Sequence, residues 1–312
     1  MTSDTLQRIK ENVEKVIVGK GVVIDLLLTA LVAGGHVLLE DVPGTGKTQL
    51  AKALAKSMDF SFGRIQFTPD LLPGDVTGLS VYHKEQEEFV FRKGPVFANL
   101  LLADEINRAT PRTQSSLLEC MGEGQVTVDG VTRVLEKPFF VVATQNPVET
   151  LGCFPLPEAQ MDRFLLKIGM GNLEKSQERQ MLDRYIHARP LEEIGAVAQM
   201  EEIRELQEQC RFVYVHPDLR DYMVNLVQAT RQGEHAVGVS PRGTLALLRA
   251  SQGWAMLTGR DFVVPEDIKQ VAVPVLAHRL LSVYGGERSN EETIRGLLQS
   301  VALPTEDWSR HD

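Results

Sequence analysis

The sequence contains few cysteines, and none of them lies in a pattern that binds metal or forms a disulfide framework. Cys120, Cys153 and Cys210 are far apart, without a C-x-x-C pair and without a histidine at zinc-ligand spacing. The seven histidines show no metal-ligand spacing either. These absences argue against a structural zinc site and predict reduced thiols in a cytoplasmic protein.

Long apolar runs are also missing. The most apolar stretch, residues 22–39, is interrupted by Asp25, Gly34, Gly35 and His36 and is therefore too broken to span a membrane. Residues 1–10 mix charged and polar side chains and lack the apolar core of a signal peptide. The sequence therefore predicts a soluble protein with no membrane span.

The chain lacks an excess of positive charge. Its 33 Lys and Arg residues are outnumbered by 42 Asp and Glu residues, which gives a formal net charge of -9. Without a global positive field, affinity for nucleic acid would have to come from a local basic patch. We therefore expect no nucleic-acid partner.

Short apolar runs alternate with segments of helical periodicity through the first half of the chain. Such alternation is typical of an α/β fold, in which a parallel sheet lies between helices and polar residues after the strands collect at one edge. Helical spacing is found at 48–58 and 111–121. The five predicted strands are 36–40, 63–67, 99–103, 139–144 and 164–168.

Two hairpins are predicted as insertions in this alternation, near 76–92 and 125–134. The second contains Asp129-Gly130, a strong signal for a type I′ turn. Later in the chain the pattern becomes helical, at 172–188, 200–210, 217–232, 241–258 and 265–278. The sequence therefore predicts two domains, an α/β nucleotide-binding domain over 1–189 and a smaller all-α domain over 190–312.

The segment 41–48 connects a predicted strand to a predicted helix and has the composition of a phosphate-binding loop. Gly44 and Gly46 allow backbone N–H groups to approach phosphate oxygens, Lys47 reaches the β and γ phosphates, and Thr48 supplies a hydroxyl ligand for Mg²⁺. Asp41 stands where the G-x-x-x-x-G-K-[ST] pattern has its first glycine. The phosphate-contacting residues are nevertheless present, so the segment predicts a P-loop NTPase that binds ATP.

Polar residues follow two other predicted strands. Asp104 can hold Mg²⁺ through water, and Glu105 can orient or deprotonate the attacking water. Asn146 can place that water against the γ phosphate. Taken alone, the two acids are also compatible with a helix cap and Asn146 with a turn before proline. Their combination with the loop favours catalytic roles.

These residues, with the motifs around them, resemble the MoxR-type AAA+ ATPases along essentially the whole chain. The matching segments are 17–20, 43–48, 104–109, 143–147, 156–164 and 240–242. The resemblance implies an AAA+ core with a parallel five-stranded sheet and an all-α lid domain. It also implies that the hairpins are the helix-2 insert and the pre-sensor-1 hairpin, which face the ring pore in relatives.

The resemblance implies further site residues. Asp104 and Glu105 fill the Walker B roles, Asn146 is sensor 1, Arg163 is the arginine finger and Arg242 is sensor 2. We expect Arg163 to act on a neighbouring subunit and Arg242 to reach the phosphates of its own subunit. The adenine pocket would include Val18 and Gly19, and the remaining ATP contacts would come from Pro43, Gly44, Thr45, Gly46, Lys47, Thr48 and Gln49.

The function implied by the resemblance is that of an ATP-hydrolysing homo-oligomeric ring, a hexamer, that remodels, activates or assembles protein partners. In the family such partners often carry a von Willebrand factor A domain. One alternative is a magnesium-chelatase-like motor subunit, and another is a nucleic-acid translocase. The translocase would need basic hairpins, whereas the 76–92 insert has only Lys84 and Arg92 against Asp75, Glu85, Glu87 and Glu88.

Overall fold

A computed structural model describes residues 2–40, 44–85, 87–146, 152–232, 238–280, 287–304 and 308. Its centre is a five-stranded sheet in the order β2-β5-β8-β1-β9, and every pair of neighbouring strands is parallel. This confirms the predicted α/β sheet. The strands of the sheet are β1 (Val37–Glu40), β2 (Phe62–Gln66), β5 (Leu100–Asp104), β8 (Phe140–Gln145) and β9 (Leu166–Gly169).

Helices cover both faces of the sheet. Along β5, Leu100 and Leu102 belong to one buried cluster, whereas Leu101 and Ala103 belong to the other. Alternate side chains of the strand therefore serve opposite faces, which is why the run is apolar throughout. The N-terminal helices contribute to the first cluster: α1 (Thr2–Glu14), α2 (Gly21–Val32) and α3 (Lys47–Ser57).

The second face is covered by α5 (Pro111–Glu123), after the short helix α4 (Pro73–Thr77). Both predicted hairpins are present, as β3 (Gly78–His83) with β4 (Glu88–Lys93) and β6 (Gln125–Val128) with β7 (Val131–Val134). The first hairpin begins at residue 78 rather than 76, because the preceding residues form α4. The Arg133 guanidinium carbon lies 3.8 Å from the centroid of the Phe91 ring, a cation–π contact that joins the two hairpins.

After β9 the described part of the chain is helical apart from one isolated bridge between Tyr214 and Phe262, as predicted. Helices α9 and α11 pack against α2, so the same buried cluster continues from the N-terminal helices into the C-terminal half. A boundary at residues 189 and 190 remains a prediction. The short helix α6 (Glu158–Met161) precedes β9. The helices after β9 are α7 (Lys175–Tyr185), α8 (Pro190–Glu193), α9 (Met200–Cys210), α10 (Pro217–Ala229), α11 (Pro241–Leu257), α12 (Pro265–Leu276) and α13 (Glu287–Ser300). Three-residue 3-10 helices lie at Pro95–Phe97, Ile106–Arg108 and Ala277–Arg279.

The last strand of the sheet differs from its predicted bounds. β9 begins at Leu166 rather than at Phe164. The carbonyl oxygens of Phe164 and Leu165 accept hydrogen bonds from the Arg279 side chain instead of entering the sheet. Within the described residues, no helix is long and apolar enough to cross a membrane.

Candidate functional site

The described part of the loop between β1 and α3, residues 44–46, lies at the carboxyl edge of the sheet. Gly44 and Gly46 have φ angles of +89° and +90°, a left-handed conformation that side chains with a Cβ rarely adopt. Helix α3 begins at Lys47 directly afterwards, so the positive end of its dipole lies at this edge, where it favours an anion. Thr45 lies between the two glycines, and Thr48 and Gln49 lie in the first turn of α3. Pro43 lies outside the described residues.

Asp104 ends β5 at the same edge, and hydrogen bonds fix its carboxylate. The Thr144 hydroxyl donates to Asp104 Oδ1 at 2.7 Å, and Arg64 Nη2 donates to Oδ2 at 2.8 Å. The Asp104 side chain remains 16% exposed, so its oxygens can be reached by a hydrated metal ion. Sequence reasoning missed Thr144 and Arg64, which come from the strands on either side of β5.

Glu105 has a left-handed backbone, with φ 55° and ψ 50°, which is uncommon for a residue other than glycine. Its N–H donates to the Thr144 hydroxyl at 2.9 Å, so one threonine orders both acids. Gln66 Nε2 donates to Glu105 Oε2 at 2.8 Å, and Arg108 Nε lies 3.1 Å from the same oxygen. Strained residues cluster at functional sites, and these contacts hold the conformation.

Asn146 directly follows β8 and is buried. Because β8 lies between β5 and β1, Asn146 is placed between the two acids and the phosphate loop. Neighbouring strands in a sheet are about 5 Å apart, so all three predicted elements meet within a short stretch of the carboxyl edge. The topology therefore brings together the loop, the acids and Asn146 as expected.

The turn with Val18 and Gly19 is attached to the segment that follows β9. The buried ammonium group of Lys20 donates to the carbonyl oxygens of Met170, Gly171 and Asn172, at 2.8, 2.7 and 3.1 Å. This places the turn at the carboxyl edge, beside the phosphate loop. Lys20 directly follows the predicted pocket residues in the sequence. Its hydrogen bonds could not be predicted, because the carbonyl groups come from a segment about 150 residues later in the chain.

Arg163 and Arg242 lie at the opposite edge of the sheet. Together with Arg249 and Arg279 they line a cavity of about 380 Å³ that also contains His36, the residue before β1. The phosphate loop follows the other end of β1, and four residues of strand span roughly 13 Å. The sheet therefore lies between Arg242 and the phosphate loop of its own chain. The expectation that Arg242 reaches the phosphates of its own subunit stays a prediction.

The arginines at this amino edge have few partners. Arg163 is exposed, and its Nη1 donates to the Leu118 carbonyl oxygen at 2.8 Å. Arg242 and Arg249 are exposed, and their side chains make no hydrogen bond or ion pair with any residue that the structure describes. The exposed side chain of Arg163 is open to a partner from outside its own chain. Its place at a subunit edge and its role stay predictions.

The fold and the carboxyl-edge site define a P-loop ATPase of the AAA class. The family of ATPases associated with various cellular activities (AAA) matches residues 36–166, and the AAA lid domain matches 228–297. A putative ATPase from Cytophaga hutchinsonii has a similar solved structure, with a TM-score of 0.90 and 39% identity over 97% of this chain and 96% of the other.

Full-length relatives narrow the class to a family. Chaperone MoxR1 of Mycobacterium tuberculosis is 42% identical over 96% of this chain and 82% of its own length. Protein MoxR of Methylorubrum extorquens is 33% identical over 96% of both chains. The uncharacterized protein YeaC of Bacillus subtilis is 48% identical over 95% of this chain and 94% of its own. The chain belongs to the MoxR-type AAA+ ATPases.

Proposed function

We propose that this chain is a subunit of a homo-oligomeric ring, a hexamer, that hydrolyses ATP with Mg²⁺ and thereby remodels, activates or assembles protein partners. One observation carries the proposal: the nucleotide-binding groups and the exposed arginines lie at opposite edges of one sheet. A single chain therefore cannot bring Arg163 to its own phosphates. A second copy, placed with its amino edge against the first chain's carboxyl edge, completes the site.

The proposed chemistry assigns a task to each group at the carboxyl edge. The N–H groups of residues 44–49 and Lys47 bind the phosphates of ATP, and Val18 and Gly19 border the base. Glu105 takes up the proton of the attacking water, and Asn146 orients that water. Arg163 of the next subunit stabilises the charge that develops on the transferred phosphoryl group.

Thr48 and Asp104 would hold Mg²⁺. Both offer hard oxygen ligands, and the described residues contain no cluster of three or more His, Cys, Asp or Glu side chains that could hold a metal. The oxygens of Thr48 and Asp104 fit Mg²⁺, because this ion keeps several waters and takes one or two protein oxygens together with substrate phosphates. When bound, the ion neutralises charge on the β and γ phosphates.

Mixed rings test the shared site. Lys47→Ala and Arg163→Ala should each be nearly inactive alone, the first because ATP is not bound and the second because the shared arginine is missing. Mixing the two creates interfaces at which an intact loop meets an intact Arg163, so ATP hydrolysis should partly recover. If mixed oligomers form and no activity returns, Arg163 does not act on a neighbouring subunit and the proposal is wrong.

Exposed hairpin side chains support a protein partner. On the first hairpin, Tyr82 is 51% and Phe89 73% exposed, and their rings pack edge to face with centroids 5.4 Å apart. Exposed aromatic residues are typical of protein contact surfaces. A purified von Willebrand factor A domain with an intact metal site should stimulate ATP hydrolysis, whereas the same domain without its metal ligands should not. Equal rates with both domains would remove this partner class.

Nucleic acid is the less favoured partner. The first hairpin carries Lys84, Arg92 and Lys93 against Glu85, Glu87 and Glu88, so its charges balance and it offers no basic stripe. We expect no binding of labelled single-stranded DNA at low salt. Binding that weakens steeply with added salt would instead support a translocase.

A further inference from the structure

Arg279 is a buried arginine that the proposed reaction does not use. Its side chain is 4% exposed and lies at the end of α12, in the 3-10 helix Ala277–Arg279. Nε donates to Asp162 Oδ1 at 2.6 Å and Nη2 donates to the Phe164 carbonyl oxygen at 2.7 Å. The guanidinium therefore binds the residues immediately before and immediately after Arg163.

The remaining donors of Arg279 are also engaged. Nη1 donates to the carbonyl oxygens of Val275 and Leu165 and to His278 Nε2, and Nη2 also donates to the Asp162 carbonyl oxygen at 3.3 Å. An arginine has five N–H donors in a fixed planar fork. With all of them directed at this segment and at its own helix, Arg279 is not available to a nucleotide.

Stability alone is a poor reason for this contact. Burying an arginine and a carboxylate costs desolvation free energy, and their attraction balances that cost only when the geometry is good. Apolar residues in the same place often give equal stability. Burial accordingly lowers the pKa of Arg279, and Asp162 opposes that shift. A planar guanidinium with several hydrogen bonds differs from an apolar contact because it fixes the position of the backbone that it binds.

The backbone that Arg279 holds carries Arg163, whose own guanidinium is fixed from the other side by α5. Leu118 accepts a hydrogen bond from Arg163 Nη1, and a Cβ added at Gly122 would collide with the same nitrogen. The Arg279 contacts to the backbone and the Leu118 contact to the guanidinium together fix the direction of the exposed Arg163 side chain. An exposed arginine with one hydrogen bond would otherwise sample many rotamers.

We propose that Arg279, acting through Asp162 and the Phe164 carbonyl group, is a positioning residue for Arg163 and makes the C-terminal helices part of the support of the shared active site. The inference rests on the proposed function, in which Arg163 serves the neighbouring subunit. It identifies Asp162 and Gly122 as the other parts of the same support.

The first test is Arg279→Lys, which keeps the charge and loses the fork. Each chain's own phosphate loop is untouched, so ATP affinity should stay within about twofold of wild type, while kcat should fall roughly tenfold to a hundredfold. The matched control is Arg260→Lys. Arg260 also binds a buried carboxylate, that of Asp267, but at the opposite end of the 12-residue helix α12, roughly 18 Å away. This control should leave kcat unchanged.

Mixed rings separate positioning from general damage. Arg279→Lys mixed with Lys47→Ala should recover activity, because the second chain supplies a correctly held Arg163 to an intact loop. Arg279→Lys mixed with Arg163→Ala should not recover, because both chains lack a functional arginine. Recovery in the second mixture would overturn the proposal, as would a kcat equal to that of Arg260→Lys.

Gly122→Ala tests the same support without touching the ion pair. Alanine is preferred over glycine inside a helix by roughly 0.5–1 kcal/mol, so this variant should fold at least as well as wild type. It should still lower kcat about tenfold and recover only with Lys47→Ala. If Lys47→Ala and Arg163→Ala complement each other while both Gly122→Ala and Arg279→Lys hydrolyse ATP normally, the shared site stands and the positioning role of Arg279 is wrong.

Discussion

The two edges of the central sheet differ in how their charged groups are satisfied. At the carboxyl edge, Asp104 and Glu105 are bound by side chains of neighbouring strands and of the turn that follows them. At the amino edge, Arg163, Arg242 and Arg249 are exposed. Within the described residues their side chains make a single hydrogen bond, from Arg163 to the Leu118 carbonyl oxygen. One edge is prepared for a nucleotide by its own chain, and the other presents cations that need an anion from outside.

Replacing Glu105 should give the largest effect and should break only the carboxyl edge. Glu105→Gln keeps the size of the side chain but cannot take a proton, so kcat should fall by roughly 10² to 10⁴. ATP should still bind, because the loop and Asp104 are intact. Single-turnover hydrolysis and nucleotide binding measure the two separately.

The control for that variant is Lys47→Ala, which should lose ATP affinity itself. If Glu105→Gln turned over ATP at the wild-type rate, another group would be the base. Asp104, the other carboxylate at this edge, would then be the first residue to examine.

Arg242→Ala should show that the amino edge serves a neighbour. Loss of one well-placed donor to a transition-state charge costs on the order of a hundredfold in rate. We expect that fall in kcat, with ATP affinity of the dilute, separated subunit unchanged and with recovery on mixing with Lys47→Ala. Weaker ATP binding by the separated subunit would mean that the C-terminal helices move far enough to bring Arg242 to its own site.

The sequence predicts the carboxyl edge well because its groups follow strands directly in the chain. Asp104, Asn146 and Gly44 each come just after an apolar run, and parallel strands place such residues at one edge. Arg242 comes from a helix far along the chain, and its edge is decided by how α11 packs on α2. That packing has no local signal, so the sequence does not indicate at which edge of the sheet Arg242 lies.

The contacts of the acids were missed for a related reason. Arg64 and Gln66 face Asp104 and Glu105 only because β2 pairs with β5 in the register that sets Gln66 opposite Asp104. Alternate polar residues on a strand indicate an exposed face, but they do not indicate the neighbouring strand. Thr144 could have been noticed as a polar residue at the end of an apolar run.

Lowering the pH should reduce the stability of the fold through His36, which lies at the amino edge of the sheet. Val141 N–H donates to Nδ1 of this ring at 3.1 Å, Nε2 lies 3.2 Å from the Met121 carbonyl oxygen, and burial lowers the pKa to about 4. Because this folded-state pKa is below the unfolded value of 6.5, protonation favours unfolding. The free energy of unfolding should be constant above pH 6.5 and decrease by roughly 3 kcal/mol as the pH falls from 6.5 to 4.

Urea denaturation at several pH values measures this loss. His36→Asn keeps an acceptor for Val141 N–H but loses the contact of Nε2 with Met121, so the variant should be less stable at pH 7. Because asparagine does not titrate, its stability should vary less between pH 6.5 and 4. If the variant lost stability with acid as steeply as wild type, carboxylate groups would be responsible for the pH dependence.

Arg64 should give the smallest effect, on the metal. Its Nη2 donates to Asp104 Oδ2, and its side chain is about half exposed, so the ion pair is worth at most about 1 kcal/mol. That pair competes with Mg²⁺ for the same carboxylate. Arg64→Gln should therefore lower the Mg²⁺ concentration for half-maximal ATP hydrolysis about threefold, with kcat changed less than twofold.

Arg108→Gln is the matched control, because Arg108 pairs with Glu105 rather than with the proposed metal ligand. It should alter kcat and leave the Mg²⁺ requirement unchanged. A Mg²⁺ requirement that rises in Arg64→Gln would mean that Arg64 holds Asp104 in the position from which it reaches the ion.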